Sequence, residues 1–324
     1  CLSCLLLSGA SASRAASPAP DYPMQVILDT DLGNDIDDLL ALQMLINYEK
    51  AGKIALQGIS LSKANVHAFE LARQYYEAYG TGHPAFGYMS HGPNPDDGHY
   101  LTATLAALGT DTLPPAESHE AVDMLRRQLA ASADSSIVMI AIGPLTNLAQ
   151  LLHSEADSLS PLPGIELARR KVKLLCLMGG DYRSGAAPEW NVMQDRNAAS
   201  TVFERWPTRL VASGFEVGGA ILFPHERITG DFHERHPLRV GYEHFLDMPY
   251  DRPCWDLTAV LHAVEADSAW FGLSGQGHIG VDSTGRTRFS ADAAGKHRYL
   301  TLRSDTVAAV LADRIRPVGK TNNP

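Results

Sequence analysis

The stretch VILDTDLGNDIDDLLAL, Val26 to Leu42, passes from an apolar run straight into helical spacing. It places five aspartates (Asp29, Asp31, Asp35, Asp37 and Asp38) within ten positions. Like charges at that density cost free energy unless positive charge sits among them. An apolar run of strand character followed by a periodic amphipathic stretch reads as one strand-turn-helix step, with the acids in the turn. The same step recurs outward from it. IALQGIS precedes NVHAFELARQYYEAYG, SSIVMIAIGP precedes LTNLAQLLH, VKLLCLMGG precedes a long loop, and DRNAASTVFERW precedes TRLVASG. The alternation predicts an α/β fold with a mainly parallel sheet flanked by helices on both faces, since strands this uniformly apolar suit burial on both sides. Such sheets bind ligands beyond the carboxyl ends of their strands. The polar segments DTD, GPLTN and MGGD follow strands directly, so they are expected on one edge. WFGLSGQGHIGVDSTGRTRFS reads as a small β excursion with a turn at DSTG.

Several chemistries compete for the aspartates. N-capping by Asp37 and Asp38 accounts for one or two of the five. A calcium-binding helix-loop-helix needs a ligand where Gly33 stands. An aspartyl-phosphate hydrolase needs Gly-Thr or Gly-Val after the second Asp of DTD, where Leu32-Gly33-Asn34 stands instead. What remains is a hard divalent cation held by carboxylates at a strand-to-helix turn. Asp31 and Asp38 would converge on one ion, and the other aspartates would meet a hydroxyl-rich substrate.

The chain has 324 residues, a net charge of −10, 45% hydrophobic and 20% charged residues, a composition suited to one large domain over 22–324. It carries no basic run interleaved with aromatics, which argues against a nucleic-acid polymer as partner. No stretch reaches the roughly 18 apolar residues of a membrane span. Residues 1–21 run from a short apolar core into small residues and a Pro/Ala/Ser linker, and read as a signal-peptide remnant. Export to the periplasm or the medium is therefore expected, with a cytoplasmic protein as the alternative. Cys176 and Cys254 sit alone in apolar runs, which gives neither a disulfide framework nor a zinc site.

DTDLGNDIDDLLAL resembles the D-x-D-x-G-x-D-D-x-x-A-L signature of the inosine-uridine-preferring nucleoside hydrolases. IGPLTNLA, LMGG with PEWN, and CWDLTAVL resemble three further segments of that family, in the same order along the chain. The resemblance covers roughly residues 24–315. It implies a calcium-dependent hydrolase that cleaves the N-glycosidic bond of a small-molecule ribonucleoside, and leaves a homo-oligomer open. It implies Asp31 as calcium ligand and general base, with Asp38, the Thr146 carbonyl and Asp256 as further calcium ligands. Asp37, Glu189 and Asn191 would bind the sugar, and Met178 would line its lower face. The alternative from another class is a non-catalytic nucleoside- or sugar-binding protein that retains the metal site.

The sequence also departs from the family. Two extra residues fall in Gly33-Asn34-Asp35-Ile36-Asp37-Asp38, leaving Asp35 with loop stabilisation as its expected role. The sugar-side Asn before Glu189 is missing, with Arg183 or Ser184 near its place. Ser60, Ser62 and Asn65 are the candidates after the second strand. Trp255 stands where a leaving-group histidine is expected. It can stack on a base or pack its helix, and His91 and His99 are the candidate acids.

Overall fold

The structure, a computed structural model, describes residues 23–109, 119–266 and 269–318. The leader reading lies outside these residues. In chain order the elements begin β1 (Met24–Thr30), α1 (Asp37–Lys50), β2 (Ile54–Leu61), α2 (Val66–Tyr79), β3 (Ala85–Tyr88), α3 (Leu101–Ala107), β4 (His119–Glu120), α4 (Ala121–Ala131), β5 (Ile137–Ala141), α5 (Thr146–His153), α6 (Gly164–Lys171), β6 (Val172–Met178) and α7 (Trp190–Gln194). They continue α8 (Arg196–Arg205), β7 (Arg209–Ser213), α9 (Phe215–Gly219), β8 (Leu222–Phe223), α10 (His225–Asp231), α11 (Pro237–Phe245), β9 (Arg252–Pro253), α12 (Trp255–Val264), β10 (Phe271–Leu273), β11 (Gly277–Val281), β12 (Thr287–Ala291), β13 (His297–Leu302) and α13 (Val307–Ile315).

An 11-stranded sheet runs β12-β11-β13-β7-β6-β5-β1-β2-β3-β4, with β10 also paired to β13. The strands from β13 to β4 are parallel to their neighbours, whereas β10, β11 and β12 join antiparallel at one end. This is the expected α/β fold. DSTG forms the turn between β11 and β12, with Gly285 at φ +86°.

Period-two alternation builds two cores, one on each face. In β1, Val26 and Leu28 join one cluster and Ile27 the other. In β5, Val138 and Ile140 face the first, and Ile137 and Met139 the second. Helix α1 is buried along most of its length, from Asp37 to Tyr48, because α12 and α13 cover the side the sheet does not. That accounts for its weak amphipathicity.

The chain winds outward from β1 through β2 to β3 and β4, then returns to place β5 on β1's other side. The winding direction therefore reverses between β1 and β5, and at their carboxyl ends the following loops diverge and open a crevice. DTD ends β1 at that point, GPLTN follows β5 and MGGD follows β6.

Candidate active site

Asp31 leaves β1, Asp37 and Asp38 form the first turn of α1, and Asp256 lies in the first turn of α12. All four are buried. The positive ends of both helices favour anions there. Asp37 and Asp38 are not N-caps: Ile36 holds that position, and its side chain makes no cap hydrogen bond. Carboxylate oxygens of Asp37, Asp38 and Asp256 lie within 4.8 Å of one another. The Asp256 N–H donates to Asp37 Oδ2 at 3.1 Å, and the Thr30 hydroxyl donates to Asp38 Oδ1. Asn34 Nδ2 donates to Asp31 Oδ2 at 2.5 Å, while Lys63 Nζ donates to Asn34 Oδ1 at 2.5 Å.

These carboxyls resist ionisation. Burial pushes Asp31 up to about 6. Burial first, and neighbouring aspartates second, hold Asp37, Asp38 and Asp256 well above the usual carboxylate range. Buried oxygen donors that repel one another until positive charge enters are the donor set of a hard divalent cation. The cluster is a candidate metal-binding site on that chemistry.

The turn that carries the acids is held from outside. Gly33 adopts φ +115°, and a Cβ there would meet the Leu101 side chain at 2.8 Å. Its N–H donates to the Tyr100 hydroxyl at 2.9 Å, which in turn donates to the Asp35 carbonyl at 2.7 Å. Across the crevice, a Cβ on Gly143 would lie 2.8 Å from both the backbone N and Oδ1 of Asp31. Gly143→Ala should therefore displace Asp31, costing about 1–3 kcal/mol of stability and roughly 10²-fold in kcat, the scale of a misplacement near 1 Å. Thermal melting and steady-state kinetics of the variant would check this, and wild-type values for both would refute it.

Glu189 caps α7 and accepts from the N–H groups of Gly180, Asn191 and Val192 at 2.8 to 3.2 Å, while burial pushes it up to about 7. Asn191 Nδ2 reaches the carbonyls of Met178 and Ile142 at 3.3 Å. Asp31, Asp37, Asp38, Asp256, Met178, Glu189, Asn191 and Trp255 thus line one cavity of about 290 Å³. Thr146, the remaining expected ligand, opens α5, and its hydroxyl donates to Asp195 Oδ2 at 2.8 Å.

Other expectations resolve differently. Asp29 does not line the cavity: it is fully buried, where it accepts from Ser60 Oγ and from Asn147 Nδ2 at 2.7 Å. Asn147 also donates to the Leu61 carbonyl and so ties the GPLTN segment to β1 and β2 rather than capping its own helix. Asp35 forms a forked ion pair with Arg252. Arg183 is engaged by Asp181, and Asn65 caps α2. His91 is exposed beside Ser90, and His99 packs edge-on to Phe245; neither is in the cavity wall.

Part of the cavity wall is aromatic. Trp255 stacks on Phe215 with centroids 5.3 Å apart and donates its Nε1–H to the Phe215 carbonyl at 3.1 Å. It therefore both packs its surroundings and faces the cavity. Phe215, Phe245, Trp190 and Arg252 were not anticipated from the sequence. The one available signal was Asp35, an acid without a task beside a site already rich in acid.

The family model for the inosine-uridine preferring nucleoside hydrolases matches residues 26–308. The chain belongs to that family, and is by class a hydrolase acting on nucleosides. Among solved structures, the inosine-uridine preferring nucleoside hydrolase of Bacillus anthracis superposes with a TM-score of 0.68 at 18% identity, covering 91% of this chain and 100% of that one. The purine-preferring ribonucleoside hydrolase of Gardnerella vaginalis gives 0.65 at 20% identity, covering 90% and 98%. A plant nucleoside hydrolase, PpNRh1, gives 0.67 at 18% identity, covering 91% and 99%. No curated protein matches the sequence significantly.

Proposed function

We propose that this protein is a calcium-dependent hydrolase that cleaves the N-glycosidic bond of ribonucleosides to base plus ribose. The observation that carries the reading is the lining of one cavity. Buried carboxylates, aromatic rings and the hydrogen-bonded Glu189 and Asn191 share its wall. Breaking a glycosidic bond builds positive charge on the sugar. Fixed anions aimed at that charge stabilise it where it develops. Asp31, Asp38 and Asp256 would hold calcium with the Thr146 carbonyl, with Asp37 beside them. When bound, the ion supplies a hard Lewis acid that polarises water and organises hydroxyls. Asp31 takes the proton of the attacking water, a role suited to a carboxylate raised to about 6. Asp37, Glu189 and Asn191 orient the sugar, and Met178 forms an apolar floor under it. Trp255 and Phe215 offer flat faces to the base, a contact worth about 1 kcal/mol.

The test is ribose release from a panel of purine and pyrimidine ribonucleosides, with calcium added and after chelation. Turnover that requires calcium is expected. Binding without turnover on every member of the panel would leave the non-catalytic sugar-binding reading in place.

A further inference from the structure

Among the described residues no histidine lines the cavity, yet the base must leave with the electron pair of the broken bond. Among the described residues, Arg252 is the one cation in the cavity wall. Its Nε and one terminal nitrogen are spent on the fork to Asp35, while among the described residues Nη1 has no hydrogen-bond partner. The guanidinium lies over two rings, 4.8 Å from the Phe245 centroid and 5.1 Å from that of Trp255. Two such contacts restrain the group and suit guanidinium rather than ammonium. Asp35 is fixed as well, since its carbonyl accepts from Tyr100 and its Oδ1 accepts from the Asp37 N–H at 3.3 Å.

Acid catalysis by this arginine is excluded on chemistry, because a guanidinium does not release its proton near neutrality. It can instead donate a hydrogen bond to an acceptor on the base and offset the negative charge that develops there. We infer that Arg252, positioned by Asp35, is the leaving-group residue of this site, and that the base departs as a hydrogen-bonded anion rather than as a base protonated by the protein. The inference rests on the nucleoside-hydrolase reading above. The anomeric carbon–nitrogen bond breaks with both electrons going to the base. Water oxygen bonds to the anomeric carbon and its proton passes to Asp31. The departed base takes a proton from solvent, and Asp31 returns one. The substrates served are therefore bases that present a hydrogen-bond acceptor to Arg252.

Nitrophenyl riboside tests this, because its leaving group is a stable anion that needs no help. Arg252→Ala should lower kcat on ribonucleosides by about 10²-fold or more, the scale of one lost charge-stabilising donor. The same variant should lose far less on nitrophenyl riboside, whose leaving group is already a stable anion and gains little from the donor in the transition state. Asp35→Asn, which keeps the shape of the pair, should show the same split in weaker form, in kcat rather than KM. Arg252→Lys should recover only part of the loss on nucleosides. Equal losses on both substrates, or no loss on nucleosides, would overturn the inference. If Arg252→Ala does not fold, the split or its absence in Asp35→Asn decides the matter. Failure of the wild-type protein to release ribose from any substrate would sink the functional reading instead.

Discussion

Asp31→Asn should lower kcat by about 10²–10⁴-fold, the contribution of a positioned general base, with little change in KM. The substitution keeps the shape of the side chain, removes its ability to take a proton and takes one negative charge from the ligand set, so metal content is measured beside kcat. Position 31 is tightly enclosed, with Asn34 on one oxygen and Gly143 against its backbone, so an isosteric amide is accommodated where alanine would leave a gap. A loss confined to kcat means an interaction used only in the transition state. Nitrophenyl riboside should suffer as much as a nucleoside, because activation of water is common to both. This sets Asp31 apart from Arg252, whose loss should spare the activated substrate. Near-wild-type kcat in Asp31→Asn, with the metal content unchanged, would remove Asp31 from the chemistry.

The strand-helix rhythm was legible because parallel strands buried on both faces are short apolar runs that local composition displays. The acids of the first turn were legible for a different reason: five like charges in ten positions have no inexpensive structural explanation. Glu189 and Asn191 were legible only through the resemblance of LMGG and PEWN to a segment of the family, since β6 ends at Met178, well before them. What sequence did not reveal was set by distance. Asp35 and Arg252 are 217 positions apart, and nothing local to either foretells the pair. Asp29 and Asn147 are 118 apart, and their bond makes an apparent substrate ligand part of a buried strut. Phe215 and Phe245 reach the cavity from α9 and α11, short helices whose apolar residues read as ordinary core. Burial decides such roles, and burial is a property of the assembled sheet rather than of any window along the chain.

With divalent cations chelated, thermal stability should fall as pH rises from 6.5 to 8.5, and calcium should restore more of it at the upper end. Asp29 is raised to about 7, and Asp37, Asp38 and Asp256 are raised further above their usual range, burial being the first cause in each case. The folded chain therefore keeps protons that the unfolded chain has already released. A group of this sign contributes a penalty that grows as pH climbs above its unfolded value and saturates only past its folded one. Three enclosed histidines, His236, His262 and His297, are lowered by burial to about 4 and act in the opposite window, weakening the fold as pH falls below 6.5. Starting at pH 6.5 separates the two effects. A cation that binds only the folded, deprotonated cluster stabilises it increasingly with pH. At a hundredfold excess over its dissociation constant it contributes about 2.7 kcal/mol, or roughly 5 °C in melting temperature for a chain of this size. Asp38→Ala removes one of the three clustered carboxylates, so its melting temperature should respond less to both calcium and pH. Differential scanning fluorimetry at the two pH values, with and without calcium, reads all of this. A chelated protein with the same melting temperature at both, shifted equally by calcium at each, would show that the aspartates at the head of α1 and α12 are not an uncompensated cage awaiting a cation.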